Sequence, residues 1–205
     1  MSKALILVDV QNDFAPGGAL AVPEGDRIVP VINSLLPLFD HVIATKDWHP
    51  KGHASFASAN NQPIGSMITL NGFEQVMWPD HCIQESHGAD FIPGLNSEFI
   101  AQTIYKGTNP NIDSYSGFFD NQRLQQTGLE DYLRSCDIDT IYIVGLATDY
   151  CVKFTALDAI SLNFNTYLIK DACRGVNMQP GDDEQAIAEM HAAGVKIIHS
   201  NEVNL

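Results

Sequence analysis

Thr140-Ile141-Tyr142-Ile143-Val144-Gly145-Leu146-Ala147-Thr148-Asp149-Tyr150-Cys151 is the stretch from which the fold can be read. Its first five residues are short, apolar and largely β-branched, the pattern of a buried strand. Val152 to Leu162 then carries apolar residues at helical spacing, with Thr148 or Asp149 placed to cap that helix. Cys151 is therefore expected on a first helical turn, just past a strand end. Unpaired backbone N–H groups and the positive end of the helix dipole favour a thiolate there. A small, buried, inert cysteine is the commoner fate of a lone Cys, so the reactive reading needs support from the rest of the chain.

The same alternation continues on both sides. Ala4–Val8, Val42–Thr45, Thr103–Tyr105, Thr166–Ile169 and Val195–Ile198 read as further strands. Asp26 to Phe39 reads as a helix capped by Asp26, with Pro30 early enough to be tolerated and Pro37 placed to kink or end it. Thr127 and Glu130 form a capping-box pattern opening a helix over Leu129–Cys136. Asp182–Ala193 is an amphipathic helix stopped by Gly194. Strands alternating with helices imply right-handed βαβ units and a parallel sheet covered on both faces. His53 to Ile100 is irregular, and its aromatics and histidines argue for a functional loop region rather than disorder.

Composition narrows the partners. The chain has 205 residues, 45% of them hydrophobic, which suits one domain spanning 1–205. A formal charge of −14 disfavours nucleic acid and anionic membrane surfaces and leaves a small neutral or cationic ligand. The four cysteines (82, 136, 151 and 173) include no C-x-x-C pair, so reduced thiols in a cytoplasmic protein are expected. No signal peptide and no apolar run long enough to span a bilayer is expected. A homo-oligomer is compatible with all of this.

Parallel sheets bind ligands outside the carboxyl ends of their strands. Asp9, Asp47, Lys106, Cys151 and Asp171 each lie at or just past such an end, so most of them should share one cleft. Asp9, Lys106 and Cys151 would supply an acid, a cation and a thiol: the carboxylate accepts the thiol proton and the ammonium lowers the thiol pKa. The plain alternative is a Lys–Asp ion pair beside an inert cysteine. Asp47 and His49 are a compact oxygen and nitrogen pair, and His81 offers a third ligand suited to zinc, iron or manganese. His53 is a weaker further candidate. Phe14, Trp78 and Tyr115 lie in loops and could build a slot for a flat ring. Asp9 and Asp13 stand four apart rather than two, which removes the Asp-x-Asp phosphatase pattern, and no G-x-G-x-x-G follows the first strand.

Six stretches together carry a family resemblance: Leu7–Phe14, Gly18–Pro23, Asp47–Pro50, Trp78–Cys82, Lys106–Gly107 and Gly145–Val152. Over nearly its whole length the chain resembles the isochorismatase-like cysteine hydrolases, and within them the members that act on nicotinamide. The resemblance implies an α/β fold, a three-layer αβα sandwich with a six-stranded, Rossmann-like parallel sheet. It implies a catalytic Asp9, Lys106 and Cys151, a metal on Asp47, His49 and His81, and ring contacts from Phe14, Trp78 and Tyr115. It also implies a cis peptide at Leu146–Ala147, with the N–H groups of Ala147 and Cys151 as an oxyanion hole. The implied reaction is hydrolysis of nicotinamide to nicotinate and ammonia through a cysteine thioester. Another amidohydrolase of the family, or a ligand-binding α/β domain without catalysis, are the competing expectations.

Overall fold

The computed structural model describes residues 2–203; Met1, Asn204 and Leu205, which the expected domain 1–205 includes, lie outside the described residues. In chain order the elements are β1 (Ser2–Val8), α1 (Ile28–Leu35), β2 (His41–Asp47), α2 (Ala57–Asn60), β3 (Met67–Leu70), β4 (Phe73–Val76) and β5 (Gln102–Lys106). They continue as α3 (Leu129–Ser135), β6 (Ile138–Leu146), α4 (Lys153–Ser161), β7 (Asn165–Arg174), α5 (Asp182–Ala192) and β8 (Lys196–Ile198). Six strands form one sheet in the order β5-β2-β1-β6-β7-β8, and every pairing is parallel.

The apolar run that reads as a two-faced strand behaves as one. Leu5 and Leu7 join the core on one face of the sheet, with α1 residues Ile28, Ile32 and Leu35. Ala4, Ile6 and Val8 join the core on the other, with Leu129 and Leu133 of α3, Ala156 and Ala159 of α4, and Met190 of α5. The period of two along the strand thus separates two cores and produces the three layers.

The chain winds outward from β1 through β2 to β5, then returns to start again at β6 on the other side of β1. Asp9 and the segment after β6 therefore flank the point where the winding reverses, the ligand position of such sheets. Gly145 sits there with φ +122, and a Cβ on it would meet the Val8 carbonyl oxygen at 2.1 Å, so only glycine fits.

Several local expectations give way. No side chain caps α1: Arg27 holds its N-cap position, and a 3-10 turn, Gly25–Arg27, carries Asp26. Thr148 and Asp149 do not cap either. Cys151 lies in a π-turn, Thr148–Val152, that precedes α4, and the Asp149 carboxylate accepts from Val176 N–H (2.9 Å) and Asn177 N–H (2.7 Å) instead. At α3 the N-cap position is Gly128; the Thr127 hydroxyl, one residue earlier, accepts from Leu129 N–H at 3.2 Å while donating to the Gly117 carbonyl, so it meets the helix start without the expected capping box. Asp171 does not end its strand: β7 runs on to Arg174, and Asp171 instead accepts from Ser200 N–H (2.8 Å) and the Ser200 hydroxyl (2.5 Å), away from the cleft. The irregular region contains an antiparallel hairpin, β3–β4, turned at Asn71 and Gly72, both with positive φ.

Candidate active site and metal cluster

Strand ends bring the acid, the cation and the thiol together. Lys106, last residue of β5, is 1% exposed. Its Nζ lies 2.8 Å from Asp9 Oδ2, 2.5 Å from Asp47 Oδ1, 3.4 Å from Cys151 Sγ and 2.8 Å from the Ser114 carbonyl oxygen. Carboxylate oxygens of Asp9 and Asp47 and the Cys151 sulfur fall within 4.8 Å of one another. Asp9 is held at φ +47 just beyond β1, and its Oδ1 accepts from the Thr45 hydroxyl at 2.6 Å.

This electrostatic frame differs from the expected thiolate. Burial pushes the Cys151 thiol well above its ordinary value; Lys106 opposes that rise, while the charges of Asp9 and Asp47 add to it. Burial also raises Asp9, with Lys106 acting against it. For Asp47 burial pushes upward too, but Lys106 and then His49 outweigh it and hold the carboxyl well below the usual range. Burial would discharge Lys106, yet Asp47 and Asp9 together hold its pKa well above normal. The two aspartates share one ammonium and are pushed in opposite directions, so Asp9 is the one poised to take a proton.

The Asp47, His49 and His81 side chains converge beside this cluster. Their ligand atoms lie within 4.8 Å of one another. His81 Nε2 is 3.5 Å and His49 Nε2 3.7 Å from Asp47 Oδ2. Nδ1–H of His49 donates to the Gly107 carbonyl (3.0 Å) and Nδ1–H of His81 to the Pro79 carbonyl (2.8 Å), which leaves both Nε2 lone pairs facing Asp47. His49 Nε2 is fully buried and makes no hydrogen bond among the described residues. A buried nitrogen without a partner, beside a carboxylate and a second imidazole, fits a divalent cation. His53 differs: its Nδ1 accepts from Ser55 N–H (3.1 Å) and its Nε2–H donates to the Asn109 carbonyl (2.8 Å), so both nitrogens are engaged.

One pocket joins the two clusters. Asp47, His81, Ala147 and Cys151 line it together with Phe14, Trp78 and Tyr115, as the sequence suggests. Trp78 Nε1–H donates to the Tyr115 hydroxyl at 3.1 Å, fixing the two rings edge to face at 6.5 Å. The Leu146–Ala147 peptide is cis.

Sequence reading missed five residues here. Leu20, Asp113, Tyr150 and Val176 also line the pocket. Gln11, fully buried, accepts from Asp47 N–H and donates to the Asp47 carbonyl, both at 2.8 Å, and so clamps the backbone of that residue. Tyr150 and Gln11 carried a signal, adjacency to Cys151 and Asp9. Asp113 stands two residues before Tyr115 in a loop already of interest. Leu20 lies in the Gly18–Pro23 stretch that carries the family resemblance, whereas Val176 had no signal, since only tertiary packing brings it in.

Comparison with known proteins places this geometry. The sequence model of the isochorismatase domain matches residues 3–202. The chain belongs to the isochorismatase family. Among this family's members it is 52% identical over 199 residues to the nicotinamidase of Escherichia coli K12, covering 95% of this chain and 93% of that one. The structure of an Acinetobacter nicotinamidase and pyrazinamidase superposes with a TM-score of 0.95 at 46% identity, covering 98% and 97% of the two chains. A pyrazinamidase of Pyrococcus horikoshii solved in complex with zinc gives 0.80 at 40% identity, covering 97% and 99%.

Proposed function

We propose that this isochorismatase-family protein is a nicotinamidase: it hydrolyses nicotinamide to nicotinate and ammonia, accepts pyrazinamide, and serves NAD salvage in the cytoplasm as a single-domain enzyme of residues 1–205. The observation that carries the reading is Lys106, whose ammonium touches the acid, the thiol and a ligand of the cation cluster at once. The zinc-bound relative and the orphaned His49 nitrogen support zinc, with iron or manganese as the alternatives. Among the described residues all four cysteines are free and no helix is long and apolar enough to cross a membrane, which accords with that compartment.

In the mechanism, Phe14, Trp78 and Tyr115 hold the pyridine ring and set its carboxamide beside Cys151. A divalent ion on Asp47, His49 and His81 would supply a Lewis-acidic anchor for the ring nitrogen. Asp9, raised by burial, takes the Cys151 proton as the sulfur attacks the carbonyl carbon, and Lys106 holds the emerging thiolate. The backbone N–H groups of Ala147 and Cys151 receive the oxyanion, a contribution of about 3 kcal/mol for each such donor. Asp9 then gives its proton to departing ammonia, draws one from water, and the resulting hydroxide cleaves the thioester to nicotinate.

The test is ammonia release from nicotinamide by the purified protein, with metal analysis of the same sample. Stoichiometric nicotinate and ammonia are expected. Release of ammonia from carbamoyl or ureido compounds but not from nicotinamide would move the assignment to another amidohydrolase of the family. Ligand binding without any turnover would make it a non-catalytic domain.

A further inference from the structure

Asp113 is a buried carboxylate that the mechanism above does not use. It is 5% exposed and lines the pocket with Asp47, His81 and Cys151. Its Oδ1 accepts from Ser114 N–H at 2.8 Å, and its Oδ2 accepts from Gln75 Nε2 at 3.2 Å. Both bonds come from neutral donors. The one basic group within 4.0 Å among the described residues is His49, with Nε2 at 3.9 Å from Asp113 Oδ1. That nitrogen is the same one aimed, without a hydrogen bond, into the cation cluster. His53, the next imidazole, has both nitrogens engaged elsewhere, and burial pushes its pKa down. Once His49 serves as a neutral ligand, Asp113 has no positive partner within 4.0 Å among the described residues.

A buried carboxylate without a cation is costly. The charges of the site say what it is paired with. Asp9 and Asp47 share one ammonium, Lys106, while the one basic group that Asp113 meets among the described residues is His49, so three carboxylates stand against one fixed positive charge and a divalent cation would balance them. We propose that Asp113 is a fourth member of the metal centre. Its carboxylate balances the charge of the ion and accepts a hydrogen bond from solvent bound to it, from outside the Asp47, His49 and His81 set. Gln75 holds it in place. This buried side chain (7% exposed) on β4 also donates to the Tyr115 hydroxyl at 3.1 Å, so the hairpin ties the ring slot to the cation cluster. Asp113 is a positioning residue, and the proposal rests on the metal reading above.

The experiment compares wild type with D113N, using zinc(II) alone as the probe. Chelator competition gives the affinity, and thermal melts are run without metal and with saturating zinc. Loss of such a supporting group commonly costs 10- to 100-fold in metal affinity, and a fall of about that size is expected. The metal-free variant should melt no lower than metal-free wild type, because an unpaired charge has been removed, while its stabilisation by zinc should shrink. A purely structural role would lower both melts equally, and that result overturns the proposal. So does zinc affinity within twofold of wild type. D113S, which keeps an acceptor for Ser114 N–H, replaces D113N if the latter does not fold. If neither folds, the hydrogen bonds and not the charge are what the fold needs, and the proposal fails. Wild type that takes up no divalent ion overturns the metal reading and this proposal together.

Discussion

Asp9, Asp47, Lys106 and Cys151 stand at the ends of strands or one turn beyond them; Phe14, Trp78, His81, Asp113 and Tyr115 stand on loops. Asp47 and Cys151 of the first group line one pocket with all of the second, and Lys106 joins Asp9 to them, but the two groups are held differently. The strand-borne groups are fixed by the sheet ladder and by one another through Lys106. The loop-borne groups are fixed by side-chain bonds between loops: Cys82 N–H to Asp13 Oδ2 at 2.7 Å beside His81, Trp78 and Gln75 to the Tyr115 hydroxyl, and Gln75 to Asp113. Apart from Asp47, which ends β2 but belongs to the cation cluster, the sheet end holds the bond-breaking groups, and the loops hold what recognises the ring. Damage to the first should stop turnover and spare binding. Damage to the second should act on binding and on the choice of amide.

The largest expected effect is at the strand end. Cys151→Ala should lower kcat by at least about 10⁴-fold, as loss of a nucleophile does in a comparable triad, while nicotinamide still binds in a calorimetric titration. Turnover above about a hundredth of wild type would remove Cys151 as nucleophile. Next comes the cluster. Benzamide has the shape and scissile bond of nicotinamide but no ring nitrogen, so its kcat/KM should fall by about 10²-fold or more, since lost orientation is worth orders of magnitude. His49→Ala should abolish nicotinamide binding. Equal hydrolysis of the two amides would show that the loop-borne cluster does not read the ring.

A subtler break lies at Gly107, where strand and loop meet. A Cβ there would stand 2.4 Å from His49 Cε1, at a backbone φ of +64. Gly107→Ala should therefore push the imidazole aside and lower zinc affinity about 10-fold, leaving the rate of Cys151 alkylation by iodoacetamide near wild type. A variant slowed equally in both assays would mean that the two ends of the pocket are not separable. At the bottom of the scale, Cys136→Ala, half-buried and remote from the pocket, should change stability by less than about 0.5 kcal/mol and activity not at all.

This division also explains what was legible in the sequence. Apolar runs mark strand ends, and a parallel sheet gathers those ends, so Asp9, Asp47, Lys106 and Cys151 could be grouped before any coordinates. Asp171 escaped the rule because β7 continues through polar residues to Arg174, beyond the apolar run that marked its end. The hairpin had a signal that went unused, Asn71-Gly72 between two short apolar segments, the commonest two-residue turn. At α3 a left-handed glycine, Gly128 (φ +92), took the cap position, and Thr127 reaches only the first N–H of the helix, that of Leu129. For the thiol, local helix geometry favours thiolate, whereas burial, invisible in a single sequence, pushes the other way. Asp113 stayed hidden for the same reason: among the described residues its one basic neighbour within 4.0 Å is His49, a property of the packed loops.

The three buried carboxylates of the site have a consequence for product escape. With a divalent ion in place the buried charges cancel, and a neutral amide enters a neutral site. The carboxylate it becomes carries one negative charge too many, beside Asp9, Asp47 and Asp113, in a chain whose formal charge is −14. The pocket is thus matched to what comes in and mismatched to what goes out, and the reaction itself supplies the force that empties it.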